Sequence, residues 1–215
     1  MAYEWVDDDQ CTISQRYDRV AGLIPLFEWV LFLPRELRKK AVDRLSLRHG
    51  DCVLEIGCGT GRNFPHLHAA VGPAGTIHGV DLSAGMLRKC QMLRDRHGWR
   101  NVSLTHGDAA DFSAPGPLDG VFFSLSYNTM PNHLAVLGQA WKQLRSGGRL
   151  VIMDAKVPPG PGGRFVLPFS VWLMKRTLLG NPHIRPWEDL EQLTGRFDME
   201  EFMFGSYYIC RAVKP

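Results

Sequence analysis

The stretch EIGCGTG, residues 55–61, decides the fold of this chain. It ends the short apolar run of residues 51–56, which is typical of a buried strand, and it leads into a segment predicted to be helical over residues 61–70. Its glycines allow the backbone to turn tightly and to approach a ligand closely. Because the first turn of a helix has backbone N–H groups without intrahelical partners, loop and helix together predict a ligand-binding crevice.

Strands and helices alternate on both sides of this loop. The predicted strands are residues 51–56, 76–80, 101–106, 117–124 and 149–154. The predicted helical regions are residues 12–47, 61–70, 83–97 and 131–145. Ser83 is expected to be the N-cap of the third region, and Pro131 to lie in the first turn of the fourth. Gly147-Gly148 is expected to close that fourth region.

Residues 196–213 contain two strand-like runs joined at Gly205-Ser206. So short a connection predicts an antiparallel hairpin at one edge of the sheet. The earlier alternation of strands and helices predicts right-handed crossovers and a parallel sheet. The predicted fold class is therefore α/β, a parallel sheet with helices on both faces and an antiparallel C-terminal hairpin.

Acidic residues accompany the ends of three predicted strands. Glu55 stands immediately before the first glycine of the loop. Asp81 ends the second strand, about 20 residues beyond Gly61, where a carboxylate can accept both hydroxyls of a ribose. Asp108 follows the third strand, where it can accept a hydrogen bond from an adenine amino group. Because the carboxyl ends of parallel strands lie at one edge of a sheet, these residues are predicted to share one crevice.

Four stretches, in this order, resemble the successive motifs of class I S-adenosylmethionine-dependent methyltransferases: LEIGCGTGRN, GVDLSAGML, THGDAADF and LRSGGRLVIMD. The resemblance covers about residues 50–155. It implies a Rossmann-like sheet of seven strands whose last hairpin inserts antiparallel. It also implies S-adenosylmethionine as the cofactor and S-adenosylhomocysteine as the product.

The resemblance assigns roles to residues of these motifs. Gly57 and Gly59 are expected to approach the methionine part of the cofactor. Leu82 and Met86 are expected to line the adenine pocket, and Ser124 to border the methyl-transfer site. The residues assigned to the cofactor site are Tyr17, Glu55, Gly57, Gly59, Thr60, Gly61, Asp81, Leu82, Met86, Asp108, Ala109 and Ser124.

Tyr17 belongs to a Tyr17-Asp18 pair near the start of the chain. A pair in this place resembles the ubiquinone-biosynthesis methyltransferases and the bacterial phospholipid N-methyltransferases, in which the N-terminal segment folds over the cofactor. The resemblance then makes the Tyr17 hydroxyl a donor to the cofactor carboxylate. The alternative is a tyrosine packed on the domain surface.

Two other classes of protein use similar glycine loops. An NAD(P)-dependent oxidoreductase would be expected to carry GxGxxG and a separate substrate domain, and neither is visible in the sequence. The spacing here is the tighter GxGxG. The other alternative is a non-catalytic relative that keeps the fold and the cofactor site.

The segments that flank these motifs bear on the methyl acceptor. Residues 20–33 are apolar and lead into a basic cluster, and residues 164–176 form a second apolar segment with basic ends. Apolar residues beside Lys and Arg are typical of interfacial membrane helices, although Pro25 and Glu28 interrupt the first segment, which is shorter than a membrane span. The alternative interpretation is that the two segments pack together as a lid over the pocket.

SLSYNTMPNH, residues 124–133, resembles the corresponding stretch of enzymes that methylate betaine lipids or phosphatidylethanolamine. The sequence therefore predicts N-methylation of an amino-phospholipid head group, with a quinone or a soluble metabolite as alternative acceptors. Tyr127 and His133 are the candidate catalytic residues, since an amine must arrive neutral and so needs a proton acceptor. The candidate residues for a lipid phosphate are Arg164, Lys175, Arg176, His183 and Arg185.

Length, charge and cysteine content limit which partners and metal sites the protein is expected to have. The 215 residues are expected to form one domain, and the net charge of +3 with apolar flanks does not favour nucleic acid as a partner. The five cysteines form no CxxC pair, which favours free thiols over a zinc site or a disulfide framework and predicts no metal.

No signal peptide is apparent, so a cytoplasmic enzyme is expected, with peripheral contact to the inner face of the membrane. The expected parts are an N-terminal helical cap over residues 12–47, a cofactor-binding core over 50–155, a substrate-cap insert over 156–186, and a C-terminal helix and hairpin over 187–215.

Overall fold

The computed structural model describes residues 9–20, 35–156, 180–181 and 183–215. The first apolar segment and the second therefore fall almost entirely outside the described residues. The same holds for three candidate phosphate ligands, Arg164, Lys175 and Arg176. None of the described helices is both long enough and apolar enough to cross a membrane.

A single sheet of seven strands forms the centre of the structure, in the order β3-β2-β1-β4-β5-β7-β6. The strands are β1 Cys52–Ile56, β2 Thr76–Asp81, β3 Val102–His106, β4 Leu118–Ser124, β5 Leu144–Ala155, β6 Phe197–Phe202 and β7 Tyr207–Val213. Strands β1 to β5 are parallel, whereas β7 pairs antiparallel with both β5 and β6. This arrangement confirms the predicted Rossmann-like sheet and its antiparallel hairpin.

Helices cover both faces of the sheet, as predicted. They are α1 Gln10–Val20, α2 Arg35–Arg44, α3 Phe64–Val71, α4 Ala84–His97, α5 His133–Gln143 and α6 Pro186–Thr194. Neighbouring residues of β1 show the two faces: Val53 packs in the cluster with α2, α3 and α4, and Leu54 in the cluster with α5 and α6. Both side chains are buried, which explains why the central strands read as continuous apolar runs.

Two predicted details around α5 are wrong. The helix begins at His133, so Pro131 precedes it, and the side chain of the N-cap residue Asn132 bonds to another loop and does not cap the helix. Gly147-Gly148 does not close a helix but lies within β5, where the Gly147 N–H donates to the Lys214 carbonyl at 2.8 Å. The segment is extended because its backbone bonds go across to residues beyond β7.

The turn of the C-terminal hairpin is longer than predicted. It spans residues 203–206, between the Phe202 end of β6 and the Tyr207 start of β7. Met203, Phe204 and Gly205 all have positive φ, at 50°, 56° and 82°. These values bring the chain round within four residues, and only the glycine could have been recognised as a turn residue from the sequence.

Candidate cofactor and active site

The sheet order reverses direction between β1 and β4, and a crevice for ligands opens at such a point in an open α/β sheet. The glycine loop follows β1 there. Gly57, Gly59 and Gly61 have φ of 69°, 54° and 79°, which side chains rarely adopt. A Cβ on Gly57 would lie 2.5 Å from the Ser126 Cβ, and one on Gly61 would lie 2.8 Å from the Cys90 sulfur. Among the described residues, a Cβ on Gly59 would meet no atom within 4 Å, so within this part of the chain the loop is closely packed on its flanks and open at its centre.

Asp81 holds this loop from the end of β2. Its Oδ2 accepts the Gly59 N–H at 2.7 Å, and its Oδ1 accepts the Ser83 N–H at 2.8 Å. Burial raises the pKa of the carboxyl, and these two N–H donors oppose the shift. An ionised carboxylate has about four acceptor sites, so Asp81 can accept two ribose hydroxyls in addition. Its position therefore fits the ribose of S-adenosylmethionine.

Asp108 and Ala109 follow β3 on the same edge of the sheet. The Asp108 Oδ2 accepts hydrogen bonds from the Gln10 amide at 2.6 Å and the Asn132 amide at 2.7 Å. Its Oδ1 accepts the Ala110 N–H at 2.9 Å. Two amide N–H₂ groups therefore donate to this carboxylate, and an adenine amino group is a donor of the same kind.

Helix α1 lies across the adenine side of the crevice. Gln10, Ser14 and Asp18 are spaced by four residues and so lie on one face of the helix. Ser14 donates to the Leu82 carbonyl at 2.8 Å, while the Asp18 Oδ1 accepts from the Ser83 hydroxyl at 2.5 Å and the Gly85 N–H at 2.7 Å. Each turn of α1 therefore contacts a different part of the crevice rim. This placement accords with an N-terminal segment that folds over the cofactor.

Replacing Asp18 with alanine should loosen α1 from the N-terminus of α4. The lost carboxylate accepts one N–H and one O–H there, so we expect a loss of about 1 kcal/mol of stability and faster proteolysis within α1. The Ser83 hydroxyl lowers the pKa of Asp18, so the difference from the native protein should vanish as the pH falls below that pKa. Limited proteolysis at neutral and acidic pH measures this. Equal cleavage of native and variant protein at neutral pH would contradict the contact.

The remaining adenine-side candidates lie at the same rim. Met86 is a buried residue in the first turn of α4. Its N–H donates to the Ser83 hydroxyl at 3.1 Å, which confirms Ser83 as the N-cap. Leu82 is half-buried, and its carbonyl accepts from His106 as well as from α1. Tyr17 is half-buried on α1, and Thr60 is half-buried in the glycine loop. The contacts of these residues with the cofactor stay predictions.

Glu55 is buried beneath the glycine loop. Its Oε1 accepts from the Asn63 amide at 2.6 Å, while its Oε2 is buried with no hydrogen-bond partner among the described residues. Burial raises the pKa of this carboxyl to about 8, although Asn63 and the nearby Arg38 lower it. An orphaned acceptor at this point fits a cofactor that carries an ammonium group, as the methionine part of S-adenosylmethionine does.

The raised pKa of Glu55 predicts a pH dependence of stability. Between its ordinary pKa of 4.5 and the folded value of about 8, the folded state holds a proton that the unfolded state has lost. Stability should therefore fall as the pH rises through this window. Glu55→Gln should make that fall smaller and leave the part that comes from Asp154, whose carboxyl has its pKa raised to about 7 by burial. Urea unfolding of both proteins at about pH 5 and about pH 8 tests it, and parallel curves would show that Glu55 is not the responsible group.

Arg38 and Asn63 are site residues that the sequence did not single out. The Arg38 Nη1 donates to the Asn63 Oδ1 at 3.0 Å and to the Ser124 hydroxyl at 3.1 Å. Ser124 is the last residue of β4 and is almost buried. Arg38 lies in the basic cluster that follows residues 20–33, and Asn63 is the last residue of the stretch LEIGCGTGRN, but neither position distinguishes a site residue from its neighbours in the sequence.

The segment after β4 is held by strain and by buried polar contacts. Leu125 has a φ of 54°, unusual for leucine, and such outliers cluster at functional sites. Ser126 donates to the Ile56 carbonyl at 2.7 Å. Asp154 is buried at the end of β5, where burial raises the pKa of its carboxyl to about 7, and it accepts the Asn128 N–H at 3.2 Å. These contacts fix the segment against the glycine loop.

Tyr127 and His133, the candidate catalytic residues, lie behind this segment. The Tyr127 side chain is fully buried, packs edge-on against Phe123, and donates to the Asp189 Oδ2 at 3.0 Å. Burial and Asp189 together raise the pKa of Tyr127. The His133 Nδ1 lies 3.2 Å from the Met130 carbonyl, and its Nε2 lies 3.8 Å from the Asp189 carboxylate. The two residues connect this segment to α6, so their positions give no support to a catalytic role, which stays a prediction.

The two described candidates for a lipid phosphate are exposed. Arg185 pairs with Glu188 at 2.8 Å, and the His183 N–H donates to Asn181. Within the described parts of the chain, no group of three or more His, Cys, Asp or Glu side chains could hold a metal ion. A phosphate site built from the five predicted cations stays untested, because three of them lie outside the described residues.

Comparisons with known proteins agree with this geometry. The family model described as a methyltransferase domain matches residues 53–148, which contain the glycine loop and the three acids Glu55, Asp81 and Asp108. Demethylmenaquinone methyltransferase of Geobacillus stearothermophilus is 27% identical over 210 residues, covering 94% of this chain and 88% of that protein.

Two solved structures share the fold. A phosphoethanolamine N-methyltransferase of Haemonchus contortus, solved with phosphomonomethylethanolamine and S-adenosylhomocysteine, has a TM-score of 0.76 at 17% identity and covers 94% of this chain and 60% of its own. An S-adenosylmethionine-dependent methyltransferase of Aquifex aeolicus has a TM-score of 0.61 at 18% identity and covers 95% and 98%. The matched domain, together with the likeness in sequence and in fold to known methyltransferases, makes this chain an S-adenosylmethionine-dependent methyltransferase.

Proposed function

We propose that this enzyme methylates a hydrophobic acceptor of the hydroquinone type. The observation that carries the proposal is the similarity to demethylmenaquinone methyltransferase, which extends over 94% of this chain and therefore includes the flanks as well as the cofactor-binding core. The flanks are where acceptor contacts are expected, and both carry long apolar segments. An apolar ring with a lipid tail suits such surroundings.

The acceptor side of the crevice has an apolar character in the described residues. Met130 lies beside the glycine loop, since its Cε would be 3.3 Å from a Cβ on Gly57. Leu125 is half-buried at the end of β4, and Tyr207 is buried at the start of β7. Apolar walls of this kind exclude water from the reacting groups, which favours a neutral aromatic ring over a strongly hydrated head group.

Few catalytic groups are needed for this chemistry. The cofactor supplies a methyl group that its sulfonium already makes a good electrophile. Methylation of a hydroquinone would replace the hydrogen of one ring carbon by the methyl group. The electron pair of the methyl–sulfur bond would stay on sulfur, the ring carbon would lose its proton, and any proton taken from the hydroxyl would be returned to it, so that one proton is released overall. The protein's task is to hold ring carbon, methyl and sulfur in line, which the anchoring of the loop by Asp81 serves.

A second candidate is N-methylation of an amino-phospholipid head group such as phosphatidylethanolamine. It is favoured by SLSYNTMPNH, residues 124–133, which resembles the corresponding stretch of lipid N-methyltransferases. The structural likeness to a phosphoethanolamine N-methyltransferase, at 17% identity, speaks for the fold alone. Both candidates place the acceptor in or near a lipid surface, so peripheral membrane contact is part of this proposal.

One assay separates the candidates. The full chain is incubated with radiolabelled S-adenosylmethionine and either a reduced, unmethylated naphthoquinone with a short isoprenoid tail or vesicles containing phosphatidylethanolamine. Asp81→Ala serves as the cofactor-site control. We expect label in the naphthoquinol with the native protein only. Label in the phospholipid alone would replace the proposal by the second candidate. Label in neither, with intact cofactor binding, would reject both acceptors.

A further inference from the structure

We propose that Arg38 binds the carboxylate of the cofactor's methionine end. Arg38 is half-buried on α2, and its Nη1 is directed by hydrogen bonds to Asn63 at 3.0 Å and to Ser124 at 3.1 Å. Two acceptors on different elements therefore fix the plane and direction of its guanidinium. The planar fork of donors on an arginine matches the two oxygens of a carboxylate.

The partners of Arg38 place it at the right end of the crevice. Asn63 follows the glycine loop by two residues and also donates to Glu55, which precedes the loop. Ser124 ends β4, which is the strand beside β1. Arg38 thus bridges the elements on the two sides of the point where the sheet order reverses. The adenine-side acids, by contrast, lie beyond the ends of β2 and β3.

The charges at this end complement an amino-acid zwitterion. Glu55 offers a buried acceptor oxygen that has no partner among the described residues, and Arg38 offers a cation, with Asn63 bonded to both. The methionine end of S-adenosylmethionine carries one ammonium and one carboxylate. Because the carboxylate meets the Arg38 cation and the ammonium meets the Glu55 oxygen, these two residues together select the orientation of the methionine end.

Two other cations near the loop, both among the described residues, are less well placed. Arg62 follows Gly61 but is exposed. His106 ends β3 and is also exposed, and its Nε2 lies 3.0 Å from the Leu82 carbonyl on the ribose side. Tyr17, which the sequence assigns to the same carboxylate, is neutral and could add one hydrogen bond without replacing the charge. Arg38 is therefore the residue whose loss should cost the carboxylate its ionic partner.

The test compares ligands that differ in this carboxylate. Calorimetry measures the dissociation constants of S-adenosylmethionine and of decarboxylated S-adenosylmethionine for native protein and Arg38→Gln. We expect the variant to bind S-adenosylmethionine about 10- to 100-fold more weakly, as for loss of a charge-assisted pair, and the decarboxylated ligand within about threefold of native. Arg38→Lys should lie between native and Arg38→Gln, since it keeps the charge and loses the fork.

Lys39→Gln is the matched control, because Lys39 is the next residue of the same helix, carries the same charge and is exposed in a pair with Asp43. It should leave both constants unchanged. Equal weakening of both ligands by Arg38→Gln would show that Arg38 only supports the loop through Asn63, and would overturn the proposal. So would unchanged binding of both. If Arg38→Gln fails to fold, Arg38→Lys decides by the same ligand comparison. The result does not depend on the acceptor, so it stands apart from the proposed function.

Discussion

Replacing Asp81 with alanine should weaken the binding of S-adenosylmethionine by at least about 100-fold. The carboxylate is predicted to accept two ribose hydroxyls, and hydrogen bonds to charged groups contribute about 1.5–3 kcal/mol each. The same change removes the acceptor of the Gly59 N–H, so the loop loses its anchor at its open centre. Calorimetry with S-adenosylhomocysteine measures the loss without requiring an acceptor.

Asp81→Asn and Asp95→Ala complete this test. Asparagine keeps one acceptor oxygen but loses the charge, so its affinity should lie between those of native protein and Asp81→Ala. Asp95 is an exposed acid near the end of α4, paired with Arg94, and its removal should leave cofactor binding unchanged. Thermal unfolding identifies any variant that has lost the fold. A folded Asp81→Ala protein with native affinity would show that the cofactor binds elsewhere.

Gly57→Ala should destabilise the protein by about 2–5 kcal/mol. Its φ of 69° costs a side chain about 1–2 kcal/mol, and its Cβ would lie 2.5 Å from the Ser126 Cβ, which forces the segment after β4 to move at about 1–3 kcal/mol more. Because Ser126 also bonds to the Ile56 carbonyl, that segment cannot move without breaking a buried contact. Urea unfolding measures the loss of stability.

Two other glycines separate strain from contact. Gly59 and Gly98 have φ of 54° and 66°, and a Cβ on either would meet no atom of the described residues within 4 Å. Both alanine variants should therefore lose only the conformational cost of about 1–2 kcal/mol. Only Gly59→Ala should also weaken cofactor binding, since its methyl enters the crevice, whereas Gly98 is the C-cap of α4. Equal stabilities for Gly57→Ala and Gly98→Ala would contradict the close contact with Ser126.

Features with a local sequence signature were predictable. The glycine loop lies between β1 and α3, Asp81 ends β2, and Ser83 caps α4, because strand periodicity, turn glycines and capping residues act over a few positions. The antiparallel hairpin was predictable for the same reason. The prediction for Gly147-Gly148 was wrong because the same dipeptide occurs both at helix ends and within strands. The backbone hydrogen bonds with Lys214 place it in β5.

Contacts between distant parts of the chain had no such signature. Gln10 meets Asp108 across 98 residues, and Arg38 meets Ser124 across 86. The burial of Tyr127 likewise depends on Asp189, which approaches from α6 across 62 residues. A tyrosine on a strand-end segment looks the same in sequence whether it faces a pocket or the core. Only the folded arrangement distinguishes these outcomes.

The position of β7 has a consequence for biosynthesis. This strand lies between β5 and β6 in the sheet, yet the ribosome makes it after both. Until β7 has been made, one edge of β5 is unpaired and β6 has no neighbouring strand in the sheet. An exposed edge of this kind can pair with another chain. Completion of the sheet therefore waits until β7 has been made, and until then the β5 edge is open to pairing with another chain.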